Sequence, residues 1–367
     1  MDWNALIRPE IAPMVPYAPG LRASEVRERS GRSVIRKLSS NESSYGPYPA
    51  AVAGMTAVLP HLNRYPDGAA RALKRRLSEH VGVEERYLAV TNGSNELLSL
   101  IAQAVLDPCD EVVFAWPSFV VYPICTAVMG ATAVKVPLTD GHVHDLPAML
   151  EAITDRTKLV FLCNPNNPTG TIYDRQAFEE FLDHVPDHVL VVVDEAYFEF
   201  VESREYPNSI DYFDGTRPLA VLRTFSKIYG LAGIRVGYGA LPPEMVAAID
   251  KVREPFNVST VGQVGAYYSL EDDAETTARR AENREQRALF CAALDELGVA
   301  YAPSSTNFVY ALFDRPQEVF NALLGEGVIV RDFGTAPALR IGIGTPDDTR
   351  ATIAALRHAL DKPEADA

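Results

Sequence analysis

Cysteine is scarce in this sequence, basic charge is in deficit, and no segment has the make-up of a leader. Each shortage excludes something. Only four cysteines occur in 367 residues, Cys109, Cys125, Cys163 and Cys291, and no two stand at CxxC spacing. A disulfide scaffold, a zinc cluster or a dithiol redox centre is therefore not expected. Buried free thiols in a reducing cytoplasm are, and no metal is expected. Lysine and arginine total 34 against 49 aspartates and glutamates, a net charge of −15. That balance argues against nucleic acid or an anionic membrane as partner. It leaves open a local basic pocket for a small anion. The N-terminus, MDWNALIRPEIAP, has no basic region followed by an apolar core and does not read as a signal peptide. Residues 112–134 form one uncharged run, but Pro117, Ser118, Pro123 and Gly130 interrupt it. It reads as strand, turn, helix and strand rather than a membrane span. Internal repeats and low-complexity stretches are absent.

What is present is ordinary for a large globular enzyme: 47% hydrophobic and 23% charged residues. At roughly 150 residues per domain the length suggests two domains. Pro-rich, irregular sequence opens the chain and reads as an arm over residues 1–35. Apolar strands then alternate with amphipathic helices. The strands are expected at 87–91, 111–115, 132–136, 158–163, 188–194, 219–224 and 235–240. Helices fit at 95–106, from about 120, at 174–185 and after Pro242. Near-continuous Val/Leu strands separated by helices indicate an α/β fold, its mainly parallel seven-stranded sheet buried on both faces. This large domain spans 36–252. From 253 to 367 a long charged helix, the short strands NFVYALF and LRIGIG and a final helix suggest a smaller α+β domain.

Four motifs stand at strand ends, where open α/β sheets place ligands. Thr91-Asn92-Gly93-Ser94-Asn95-Glu96 precedes a helix, and its small residues let backbone N–H groups approach a phosphate. The same residues also suit an ordinary turn and N-cap. Asn164-Pro165-Asn166-Asn167-Pro168-Thr169-Gly170 makes a stiff loop able to aim one amide, that of Asn167. Asp194-Glu195-Ala196-Tyr197 ends an apolar strand. A carboxylate there is costly without a cationic or hydrogen-bonding partner, so Asp194 reads as functional and Glu195 as a solvated strand end. In Thr224-Phe225-Ser226-Lys227-Ile228-Tyr229-Gly230, continuing to Arg235, a lysine lies between an apolar strand and a glycine-bearing turn. Desolvation would lower its pKa and make it an imine-forming amine.

Together these residues describe one ligand. Gly93, Ser94, Asn95, Ser226 and Arg235 suit its phosphate, and Lys227 its aldehyde. Asp194 suits a ring nitrogen, Asn167 and Tyr197 a phenolic oxygen, and Phe119 the face of a flat ring. That ligand is pyridoxal 5′-phosphate.

The same motifs, with Leu38-Ser39-Ser40-Asn41-Glu42-Ser43-Ser44-Tyr45-Gly46-Pro47, Asn63-Arg64-Tyr65-Pro66-Asp67-Gly68 and Val330-Arg331-Asp332…Leu339-Arg340-Ile341, resemble fold-type I aminotransferases over nearly the whole chain. The resemblance is greatest to the histidinol-phosphate aminotransferase family. It implies a cofactor carried on Lys227, which also moves the substrate Cα proton. Asp194 would keep the ring nitrogen protonated, and Tyr197 would tune the imine. It implies further that Tyr65 reaches the phosphate held by a partner subunit, hence a homodimer with shared sites. Arg340, with Arg331 and Tyr17, would hold the substrate's anionic end. The substrates implied are histidinol phosphate as amino donor and 2-oxoglutarate. Ser43-Ser44 replace the family's usual second Asn and Pro, Phe119 stands where many members carry Tyr, and the loop between Arg331 and Arg340 is short. These departures also suit phenylalanine or tyrosine as donor, with a threonine-phosphate decarboxylase a more distant alternative. A pyridoxal-phosphate-dependent regulator would need a DNA-binding module, for which 35 residues leave little room.

Overall fold

The computed structural model describes residues 3–361 except Pro19 and Thr335, so the outermost ends of the expected arm and C-terminal domain lie outside the described residues. Twelve strands occur among them. Arg36–Lys37 (β1) comes first, then Leu88–Thr91 (β2), Glu111–Trp116 (β3), Thr132–Pro137 (β4), Thr157–Cys163 (β5), Leu190–Asp194 (β6), Leu219–Thr224 (β7) and Gly237–Ala240 (β8). Phe308–Leu312 (β9), Val328–Ile329 (β10), Arg331–Asp332 (β11) and Ala338–Gly342 (β12) follow.

The central sheet has seven strands in the order β2-β8-β7-β6-β5-β3-β4. Only β8 runs antiparallel to its neighbours. The mainly parallel sheet expected from the sequence is thus formed, strand for strand. Its alternation sorts the side chains into two cores. Val113, Val160, Val191, Val193 and Val221 face one helical layer, and Phe114, Phe161, Val192 and Leu222 face the other. Both faces are dry, which is why these strands carry almost no polar residues. The helix Ser94–Val105 buries Leu97, Leu98, Ile101 and Ala102 against the second layer. The helix Arg175–His184 buries Phe178, Phe181 and Leu182 on the first, its start fixed by the Asp174 side chain accepting from Ala177 N.

In the C-terminal part, β11-β12-β9 form an antiparallel sheet covered by the helices Asp273–Glu296, Pro316–Gly325 and Pro346–Leu360. Its core includes Phe290, Leu294, Val309, Leu323, Leu339, Ile341 and Leu356. Strand β1, which the sequence assigns to the large domain, pairs in parallel with β10, and Leu38 joins this smaller core. The opening segment is less irregular than expected, for it contains the helix Ala23–Ser30. Val26 is that helix's one buried residue, and Gly31 (φ 67°) closes it. A single buried residue in two turns gives no readable periodicity. No helix among the described residues is long and apolar enough to cross a membrane.

Candidate active site

The C-terminal ends of β5, β6 and β7 open onto a cavity of about 770 Å³. Ser94, Asn95, Phe119, Asn167, Asp194, Tyr197, Ser226, Lys227 and Arg235 all line it, together with Tyr17, Arg331 and Arg340. The sequence separates these residues by up to 323 positions, and the parallel sheet gathers them at one edge.

The anion cup is built at the first turn of the helix Ser94–Val105, whose leading N–H groups lack intrahelical partners. Gly93 precedes it with φ 85°, and a Cβ there would stand 2.6 Å from Arg235 Nη2. Gly93 therefore frames the cup rather than lining it. Arg235 itself adopts φ 62°, a left-handed conformation unusual for a residue with a side chain. Its Nη1 donates to the Ala232 carbonyl at 3.0 Å and to Ser226 Oγ at 3.4 Å. The expected strand over 235–240 starts only at Gly237 because Arg235 turns out of the sheet toward the cup.

Asp194 is almost fully buried. Tyr122 donates its hydroxyl to Oδ2 at 3.0 Å, and Ala196 N donates to Oδ1 at 3.2 Å. Burial raises the carboxyl to about 6, against the lowering effect of the Tyr122 hydrogen bond. Lys227 is lowered to about 8, first by burial and then by the Arg340 guanidinium, while Glu42 works in the opposite direction. Its ammonium lies 5.4 Å from the centre of the Tyr197 ring. Burial raises the Tyr197 phenol, and the Arg340 charge and the Asn41 hydrogen bond oppose this.

Arg340 is buried on β12. It donates to Asn167 Oδ1 and, at 2.6 Å, to the Ser39 carbonyl. Since Arg340 takes the Asn167 acceptor, the amide is left with its Nδ2 donor. Arg331 lies over the Tyr17 ring at 5.6 Å and donates to the Ala18 carbonyl at 3.1 Å, which brings the arm to the cavity. Phe119 sets its ring edge-on to Tyr122. Tyr65 alone among the expected site residues stands apart: it is 82% exposed and stacked on Phe256.

The expectation for Glu195 is overturned. It is fully buried, bridged by Arg223 Nε at 2.9 Å, and it accepts from Ser209 N at 3.0 Å. Arg223 comes from β7, so the pair ties two adjacent strands beneath the site. Replacing Glu195 by Ala would strand a buried guanidinium and should cost about 3–5 kcal/mol of stability, read as a lowered urea midpoint. A loss below about 1 kcal/mol would contradict that role.

Several contributors escape sequence reasoning. Asn166, next to the expected Asn167, accepts from Ser118 Oγ at 2.8 Å and contacts His144 Nε2 at 3.2 Å, while its Nδ2 donates to the Pro117 carbonyl at 3.2 Å. It locks together the loops carrying Phe119 and Asn167. Tyr122 follows Phe119 by three residues, across the turn that opens the helix Val121–Val128, where Tyr122 N donates to the Phe119 carbonyl at 3.1 Å. Asn41 donates to the Tyr197 hydroxyl at 2.8 Å, a role that nothing in its sequence setting indicates.

Comparison with known proteins agrees with this geometry. A sequence model described as aminotransferase class I and II matches residues 33–356. A histidinol-phosphate aminotransferase from Moorella thermoacetica is 44% identical over 358 residues, covering 96% of this chain and 92% of that protein. One from Geobacillus thermodenitrificans is 40% identical, covering 96% and 98%. A crystal structure of histidinol-phosphate aminotransferase from Sinorhizobium meliloti in complex with pyridoxal-5′-phosphate superimposes with a TM-score of 0.88. It is 26% identical, and the match covers 96% of this chain and 97% of that one. The chain therefore belongs to the class I and II aminotransferase family.

Proposed function

We propose that the protein is a pyridoxal 5′-phosphate-dependent transaminase that takes the amino group of histidinol phosphate and passes it to 2-oxoglutarate. The observation that carries this reading is the juxtaposition in one cavity of Lys227, Asp194, the cup around Arg235 and the substrate-side arginines Arg331 and Arg340. The residues fit the cofactor. Its phosphate matches the cup formed by Ser94, Asn95, Ser226 and Arg235, where Gly93 leaves space that a Cβ would fill. Asp194 offers the ring nitrogen an anion, and Tyr197 and Asn167 offer the ring oxygen donors. When bound, pyridoxal 5′-phosphate supplies the electron sink that makes a substrate Cα–H bond acidic.

The chain's own groups do the rest. Lys227 Nζ, which would carry the cofactor at rest, is placed to take the proton from the substrate Cα and pass it on to the cofactor within the same half-reaction, and to move a proton in the reverse direction in the second. A lysine lowered to about 8 exchanges protons readily near neutrality. Asp194 holds a fixed negative charge at the end of β6. Arg340 presents a planar fork that binds either a phosphate or a carboxylate. It can therefore serve both the amino donor and the dicarboxylate. Tyr17 and Arg331 close the same end of the cavity.

The quaternary assignment rests on Tyr65, which is exposed and stacked on the exposed Phe256. An aromatic pair left exposed in this way suits a second copy, to whose cavity Tyr65 would contribute. The four free thiols suit the reducing cytoplasm.

The test is a half-reaction screen. Holoenzyme is mixed separately with histidinol phosphate, phenylalanine, tyrosine and phosphothreonine, and loss of the visible cofactor band is timed. Histidinol phosphate should convert it with a kcat/KM at least about tenfold above the aromatic amino acids. Faster conversion by phenylalanine or tyrosine would replace the assigned donor by an aromatic one. Carbon dioxide release from phosphothreonine would make it a decarboxylase.

A further inference from the structure

We propose that Asn307, in the C-terminal part of the chain, is a positioning residue for the Tyr197 phenol and acts on it through Asn41. The inference rests on the reading of the cavity given above. Three contacts carry it. Asn41 Nδ2 donates to the Tyr197 hydroxyl at 2.8 Å. Asn307 Nδ2 donates to the Asn41 carbonyl at 3.2 Å. The residue after Asn307, Phe308, packs edge-on to the Tyr197 ring, with centroids 5.2 Å apart. Two consecutive residues at the start of β9 thus reach the same phenol, one by packing and one through an amide.

A phenol oxygen has one hydrogen to donate and two lone pairs to accept with. The Asn41 amide occupies one lone pair, so the phenolic hydrogen must point elsewhere, and Tyr197 lines the cavity. The amide therefore sets the phenol to donate to the ring oxygen of a bound cofactor. Asn41 holds this post in a left-handed conformation, φ 54°, which asparagine tolerates better than most residues with a side chain and which a bond to its carbonyl helps to fix. The Asn307 amide supplies that bond. Asn307 is itself anchored, its carbonyl accepting from Ile343 N at 2.8 Å beside β12. Both amide oxygens, Asn41 Oδ1 and Asn307 Oδ1, are buried without a partner among the described residues. The arrangement thus uses the amide donors and leaves the acceptors unpaired, although burying them unpaired is unfavourable.

The consequence is spectroscopic. A donor on the ring oxygen weakens that oxygen's hold on the proton of the Lys227–cofactor linkage and so lowers the pH midpoint of the visible band. Removing the donor, or letting it swing away, raises the midpoint. The experiment titrates the visible band of holoenzyme for the wild type, Asn307→Ala, Asn41→Gly, Tyr197→Phe and the double variant Asn307→Ala/Tyr197→Phe. Asn41→Gly deletes the amide while tolerating the left-handed backbone and so tests the last link to the phenol, while Asn307→Ser, too short to reach the Asn41 carbonyl, is titrated in place of Asn307→Ala if that variant fails to fold, with the same expected shift. Tyr197→Phe and Asn41→Gly should each raise the midpoint by about one pH unit, and Asn307→Ala by roughly half a unit. Asn307→Ala should add nothing once Tyr197 is Phe, because the effect passes through the hydroxyl. An unchanged midpoint in Asn307→Ala with the band intact would overturn the inference, whatever Asn41→Gly does. So would an undiminished Asn307→Ala shift in the Tyr197→Phe background. A wild-type protein with no titrating visible band would instead overturn the reading of the cavity, and the inference with it.

Discussion

Lys227→Ala should abolish transamination, lowering kcat/KM by at least about 10⁴-fold, and should remove the visible absorbance of the bound cofactor. The size of the effect follows from two duties meeting on one nitrogen. Nζ is both the point of attachment and the proton carrier, and no second lysine among the described residues lines the cavity. Lys227→Arg separates charge from nucleophilicity. It keeps a cation at the same place, but a guanidinium does not deprotonate near neutral pH, so it should fail as completely as Ala. The pH dependence of reconstitution adds an independent check. Condensation with an aldehyde needs the neutral amine. Burial lowers Lys227 to about 8, so apoprotein should take up cofactor faster as pH rises and level off above about 8. An exposed lysine would still be gaining rate near ~10. Retained turnover and a retained visible band in either variant would remove Lys227 from the site.

The scaffold of this site was legible because a parallel sheet writes itself plainly. Strands buried on both faces must be apolar through their middles, and β5, β6 and β7 are, over 159–162, 190–193 and 219–222. Polar residues that break such runs at their ends are few, and Asp194, Lys227 and Asn167 were found on that ground. What stayed hidden is what depends on a partner distant in sequence. Glu195 looked like a solvated strand end because periodicity does not reveal that Arg223, one strand over, faces it. Asn166 and Asn167 are alike in sequence, yet one knits two loops together and the other lines the cavity. The division of labour is set by which way the loop turns. Arg235 was expected at a strand start, and its left-handed turn followed from the cup it serves rather than from β propensity. Asn41 stood in a quoted motif without a role, since its acceptor lies 156 residues away.

Asp194→Ala should lower kcat by about 10³-fold and weaken cofactor retention, measured as loss of the visible band on dialysis. Asp194 supplies the only carboxylate among the described residues that ends a central strand at the cavity, since Glu195 beside it is committed to Arg223. Its burial is costly, as the rise to about 6 shows, and a protonated ring nitrogen offsets that cost by providing an opposite charge. Asp194→Asn tests charge apart from shape. It preserves the side chain's size yet cannot ionise, so it should lose nearly as much kcat as Ala. Tyr122→Phe tests the neighbouring donor. The Tyr122 hydroxyl favours the ionised carboxyl, so removing it raises the Asp194 pKa further. Protonation then sets in at higher pH as acidity increases, and the acid limb of the kcat profile moves upward. The alkaline limb, which reports on a different group, should stay in place. An Asp194→Asn enzyme within about threefold of wild-type kcat would show that the strand-end charge is not used. An acid limb unmoved by Tyr122→Phe would show that the carboxylate's ionisation is not what that limb reports.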